Sequence, residues 1–222
     1  MKDQSINRRS FIQKTSVITS SAGMLTLLSQ TSEARPYAGN EDNVHIIGPK
    51  EGFSTHIGTM LSMMTWMRTT MLRSVAGLTT AQLDYLHDEK SNTIGAMLMH
   101  LAATETFYRI HTIENVPWGD WSEAIKSKWD VPMSLGEPAR KSIKGNNLDY
   151  YINVLNETRE KTIAEFRKKD DQWLMQVDPS FFGGKPTNNY CKWFHVCEHE
   201  SNHNGQIKWI KGRLPGAKEA KE

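Results

Sequence analysis

Between Ser54 and Val75 the residues Ile57, Met60, Leu61, Met64, Met67, Met71 and Leu72 recur at steps of three and four. That spacing places them in one stripe of a helix, which needs an apolar surface to pack against. Three more segments carry the same period. Thr93 to Glu114 has Ala96, Met97, His100, Thr104, Phe107 and His111 inward, with Ser91 or Asn92 as its cap. Leu148 to Lys168 has Leu148, Tyr151, Ile152, Leu155, Ile163 and Phe166 inward. Asn188 to Lys211 is ended by Gly212 and Pro215. Ser54 or Thr55 caps the first helix, and a short capped turn is expected over Thr80 to Leu86, after the break at Gly77-Leu78-Thr79. The connections 115–146 and 169–187 read as irregular; they hold Trp118, Trp121 and Trp129, and then Trp173, Phe181, Phe182 and Gly183-Gly184. Loops that long are uncommon without a role. Four helices of about twenty residues with long crossover loops predict an all-α four-helix bundle. The methionine stripe reads as adaptable core packing rather than a soft-metal site.

Composition narrows the function classes. With 222 residues, 38% hydrophobic and 23% charged, the chain can bury one proper core. A formal charge of +2 makes no electrostatic case for nucleic acid. No stretch of the body reaches the ~18 apolar residues of a membrane span. Cys191 and Cys197 are six apart on one helix and point to different faces, so they should not pair; both read as small buried apolar residues.

The N-terminus reads as an address. Arg8-Arg9-Ser10-Phe11-Ile12 with Lys14 looks like a twin-arginine export signal, and Val17 to Leu28 supplies a mildly apolar stretch too short to span a bilayer. Cleavage is expected after Ala34, or alternatively Ala38. Losing residues 1–34 removes four of 27 Lys/Arg and two of 25 Asp/Glu, leaving 23 of each sign. The expected organisation is a signal over 1–34, a linker over 35–52, the bundle over 53–214 and a polar tail over 215–222. The expected location is extracytoplasmic, with no membrane span left after cleavage.

The chemistry is concentrated in the last helix. His195, His199 and His203 are spaced by four and stack along one face. Neutral imidazole is the commonest metal ligand, and an i,i+4 pair can close on one ion. Three histidines over two turns cannot all converge, so His195 is read as lining the pocket. The third ligand should be His100, because an unpartnered imidazole in a largely apolar stripe is costly. His56, His87 and His111 are the other candidates. Only His111 shares the stripe of His100, three turns away, and His45 falls in the linker. The predicted metal site is therefore His100, His199 and His203.

Other metal patterns fit less well. Glu200-Ser201-Asn202-His203 is a single Glu-x-x-His, where a di-metal bundle needs two. His199-Glu200-Ser201-Asn202-His203 matches His-Glu-x-x-His, which would make Glu200 a general base on metal-bound water. No third ligand follows it, and no strand is expected to align a peptide. Glu198 and Glu200 are read as facing outward or orienting ligands.

The run from His199 to Ile207 resembles the last-helix motif of the DinB/YfiT-like superfamily. Asn92 to Leu101, with Ala102-Ala103-Thr104-Glu105 after it, resembles its second helix, and Gly77-Leu78-Thr79 leading to Leu83 its first connection. The resemblance covers roughly residues 53–214. It implies a four-helix bundle, often dimeric, with a three-histidine metal site at His100, His199 and His203. Some relatives are thiol-dependent transferases or isomerases, so the resemblance implies an activity of that class. Asn204 stands where relatives often carry Arg, and export departs from relatives whose thiol cofactors are cytoplasmic.

Three functions remain open at this point: a metal-dependent transferase or hydrolase of unknown small-molecule substrate, a non-catalytic metal- or ligand-binding bundle, and a bundle with a vestigial cluster. Three imidazoles leave an open coordination position, as the first requires, and suit Zn²⁺, Ni²⁺ or Fe²⁺. Glu105, Glu200 and His195 are possible proton-handling groups.

Overall fold

Helix α1 (Thr55–Val75) starts where the sequence places it, but its cap comes from elsewhere. Ser54 makes no capping bond; its hydroxyl donates to Asp171 Oδ1 at 2.6 Å. The same oxygen accepts the His56 and Ile57 N–H groups at 2.9 and 3.3 Å, so a residue 115 positions away satisfies the orphan donors of the first turn. The methionines Met60, Met64 and Met71 are fully buried, as core residues. After the turn α2 (Thr80–Leu83), closed by a Thr79–Gln82 capping box, comes α3 (Ile94–Arg109). Its cap is Thr93, one residue beyond the expected Ser91 or Asn92, and accepts the Ala96 N–H at 3.2 Å.

The computed structural model describes residues 44–217, which fall in one compact unit. The expected signal and its cleavage sites lie outside the described residues, as do residues 35–43 of the linker and 218–222 of the tail.

Helix α3 is buried on nearly every face rather than along one stripe. The reason is the 115–146 connection, which is not irregular. It folds into α4 (Glu123–Ser134) and α5 (Gly136–Ser142), and α4 packs on α3. The α4 sequence is polar and contains Pro132, so it gives no helical signal by itself. Trp121 and Trp129 are buried beneath this cover. The join between α4 and α5 is Leu135, held at φ 54°, with the Gly136 N–H donating to Asn92 Oδ1 at 3.1 Å.

Helix α6 (Leu148–Phe166) packs against α3. Their approach is close at Gly95, where a Cβ would meet the Tyr151 hydroxyl at 2.6 Å. The second connection holds α7 (Asp171–Met175) and a two-stranded hairpin of β1 (Val177–Asp178) and β2 (Thr187–Asn188). The strands pair Val177 with Asn188 and Asp178 with Thr187. Helix α8 (Asn189–Lys211), capped by Asn188, packs on α1 and α3. The long helices α1, α3, α6 and α8 form the expected all-α bundle.

Two apolar clusters fill it. One surrounds α3 and includes Trp129, Tyr151, Leu155 and Ile207. The other holds Ile57, Met64, Phe166 and Trp193 between α1 and α8. Both cysteines are free. Cys197 is buried as expected, but Cys191 is exposed.

Candidate metal centre

His100 lies in the second turn of α3, and His199 and His203 lie one turn apart on α8. The α3–α8 packing brings one ring nitrogen of each to within 4.8 Å of the others. Among the described residues they are the one group of three or more metal-type side chains this close.

The His100 ring is oriented by α4. Its Nδ1 donates to the Pro132 carbonyl at 3.0 Å. That carbonyl lies in the last turn of α4, where no intrahelical N–H is due, so it is free to accept. The bond fixes the tautomer and leaves the lone pair on Nε2, which faces His199 Nε2 at 3.3 Å. About 3.3 Å is also the edge of a tetrahedron whose metal–nitrogen bonds are ~2.05 Å.

Electrostatics favour a cation between these rings. Burial, then the neighbouring His203, His100 and His195, push the His199 pKa down to about 3. Burial, then His100, pushes His203 down to about 4, and burial also lowers His100. All three are therefore neutral near pH 7 and present lone pairs. The 3.3 Å contact of His100 Nε2 with His199 Nε2 is a hydrogen bond when His199 carries its proton there, and turns two lone pairs to one point when the proton is on Nδ1, as metal binding requires. The donor set thus fits a divalent ion. The buried Nδ1 atoms of His199 and His203 have no protein partner.

Around this centre the fourth histidine is separate. The His195 ring is 5.3 Å from His199 and half-exposed, and its Nδ1 bonds Glu198 Oε2 at 3.0 Å. Phe182 and Tyr108 pack on it at 5.3 and 5.9 Å. The remaining candidates stay away: His56 sits against Tyr190, His87 against Trp209, and His111 beside Asp178 and Lys192.

A protein-family model described as mycothiol-S-transferase matches residues 59–216. The chain belongs to this DinB/YfiT-like, metal-dependent family. A search of curated proteins finds no match. Within this mycothiol-S-transferase family member, the matched region contains all three histidines of the cluster and every bundle helix apart from the first residues of α1.

Two residues of the site region differ from the sequence reading. Glu200 does not face outward: it is buried, with Oε1 accepting from Arg68 Nε at 2.6 Å and Oε2 lying 3.6 Å from Arg159. Glu105, fully buried, accepts from Arg159 Nε at 2.7 Å and Arg68 at 3.0 Å. Burial alone would raise the Glu105 pKa, but Arg159 and Arg68 outweigh it and hold the group below the usual range. Neither carboxylate is placed to shuttle protons, and Glu200 is not the free base a His-Glu-x-x-His hydrolase needs. Arg68 and Arg159 went unnoticed in the sequence. Their signal was a single charge inside each apolar stripe, the same signal that pointed to His100.

Proposed function

We propose that His100, His199 and His203 hold one divalent metal ion, and that the protein uses it to transfer a low-molecular-weight thiol of the mycothiol class to an electrophile. The observation that carries this reading is the facing pair of Nε2 atoms on His100 and His199, kept neutral by burial and oriented through Pro132. The family match supports the thiol. A bound divalent ion supplies Lewis acidity, favouring the deprotonated form of a thiol near neutral pH.

The chain's own residues do the rest. The three imidazoles would supply three ligands to a divalent ion, and a site of that kind would keep a further position for a small molecule. Glu198 holds His195 Nδ1, which turns the other ring nitrogen free to receive the thiol proton. Tyr108 and Phe182 flank His195 and exclude water on that side. The donor set suits Zn²⁺, Ni²⁺ or Fe²⁺. Export through the Arg8-Arg9 signal is part of the proposal and would place the reaction outside the cytoplasm.

Elemental analysis of the purified protein beside a His199→Ala, His203→Ala variant tests the site. About one metal per chain in the parent and none in the variant is expected of a single closed site. Loss of free thiol, followed over a panel of thiols and electrophiles, then tests the transfer. Metal without turnover across the panel would leave a metal-binding bundle, and no metal in either protein would overturn the reading.

A further inference from the structure

The proposed reaction leaves one cluster unused: buried Lys192 with the partly exposed His111 and Asp178. It lies three helical turns beyond His100, about 16 Å along the helix, and shares no residue with the metal centre. Lys192 is 2% exposed, yet its ammonium lies at a cavity of about 270 Å³ that Asp178 and His111 also line. Its Nζ is 2.8 Å from Asp178 Oδ2 and 3.2 Å from His111 Nε2, and it lies over the Phe181 ring.

The backbone around this cavity is built, not frayed. Helix α3 ends in a π-helical turn, Ile110–Glu114, which carries His111 and stops at Asn115 with φ 55°. Such turns recur at functional sites. Two buried indoles hold it: Trp173 Nε1 donates to the Thr112 carbonyl at 3.3 Å, and Trp193 Nε1 to the Thr112 hydroxyl at 3.1 Å. Asn115, Gln176 and Asn189 add amide groups to the lining.

Charge and valence select the ligand. The lining carries one ammonium and one carboxylate, so a simple anion or cation meets a like charge as well as an opposite one. Lys192 has three N–H donors and Asp178 about four acceptor positions. Lys192 gives one N–H to Asp178, which also accepts the Ser180 N–H. His111 Nε2 is near both, and one ring nitrogen either accepts from Lys192 or donates to Asp178, not both. With either tautomer at least one donor and one acceptor are left side by side. The volume is below the ~300 Å³ at which drug-sized pockets begin, so the ligand is small.

We propose that this cavity is a second ligand site that takes a small zwitterion of the free α-amino acid type, its carboxylate on Lys192 and its ammonium on Asp178. The site needs no metal and stands apart from the thiol-transfer reading.

Titrating the full chain with L-serine, L-alanine, L-glutamine and L-glutamate, followed by amide NMR shifts of Asn115 and Asn189, tests this. At least one amino acid should cause saturable shifts, while acetate and ethylammonium at the same concentrations should not. Asp178→Asn should weaken that binding at least tenfold. Because that change also removes an ion pair, Val177→Trp serves as a second variant. Val177 is 61% exposed at the cavity rim, so the bulky ring should block entry and abolish the shifts without disturbing the core. No response to any of the four amino acids would overturn the proposal. An equal response to acetate or ethylammonium would overturn it as well, as would undiminished binding in Val177→Trp.

Discussion

At the residue scale, burial decides what each ionisable group can do. The three clustered histidines stay neutral because their surroundings cannot solvate a charge, which suits them to bind a metal rather than a proton. His195 is half-exposed and tied to Glu198. Replacing it with alanine should leave the metal content of the protein unchanged and slow thiol transfer about 100-fold or more, the range for loss of a proton acceptor. Equal rates in parent and variant would remove His195 from the reaction. Asp178 shows the opposite environment. Its hydrogen bonds from Lys192 first, and from the Ser180 N–H, hold its pKa at about 2, below the ordinary 3.8. A lowered carboxylate adds stability above the unfolded-state value and loses it as pH falls through the folded one. Asp178→Asn should therefore be less stable than the parent at pH 7. The gap in urea midpoint should close as pH drops from about 4 to about 2. A gap of constant size would mean that the carboxylate charge is not what stabilises.

At the scale of elements, a helix can depend on a group far away in the chain. Helix α1 begins on Asp171, which belongs to α7 and accepts from Ser54, His56 and Ile57. Removing this carboxylate strips the first turn of its acceptor and unties α7 from α1. Asp171→Ala should cost about 1–2 kcal/mol in chemical denaturation, the upper range for a helix cap. Amide exchange should quicken at His56 and Ile57 while the middle of α1 stays protected; uniform protection would show that the cap is dispensable. Helix α4 carries the reverse dependence. Its Pro132 carbonyl orients His100, so a segment with little helical signal of its own sets the tautomer of a metal-site ring.

At the scale of the whole molecule, Arg68 of α1, Glu105 of α3, Arg159 of α6 and Glu200 of α8 join the four bundle helices through one buried network. Charges alternate, two of each sign, and Arg68 also donates to the Leu155 carbonyl at 3.2 Å. Because the four charges balance, removing one leaves an unmatched buried charge. Glu105→Gln should destabilise by about 3–5 kcal/mol, as breaking a buried pair does. The exposed Lys141–Glu137 pair is the control, and Glu137→Gln should cost under about 1 kcal/mol. Similar urea midpoints for the two variants would mean that the network contributes no more than a surface pair.

The sequence by itself determined the four long helices, because a 3.6-residue period in Ile57 to Leu72 or Leu148 to Phe166 is a local property that survives into the fold. It also singled out His100, His199 and His203, which the fold brings within 4.8 Å of one another. The i,i+4 step is fixed by helix geometry, and a lone imidazole in an apolar stripe needs a partner. What it could not carry was anything depending on distant residues meeting. Helix α4 forms because α3 offers it an apolar surface, not because Glu123 to Ser134 favours a helix. The cap of α1 comes from a residue 115 positions on. Glu200 reads as a solvated charge or a hydrolytic base until Arg68 and Arg159 arrive from two other helices. Tertiary structure alone decided these points, since hydrogen bonds and ion pairs across the bundle depend on positions in space that local periodicity does not encode.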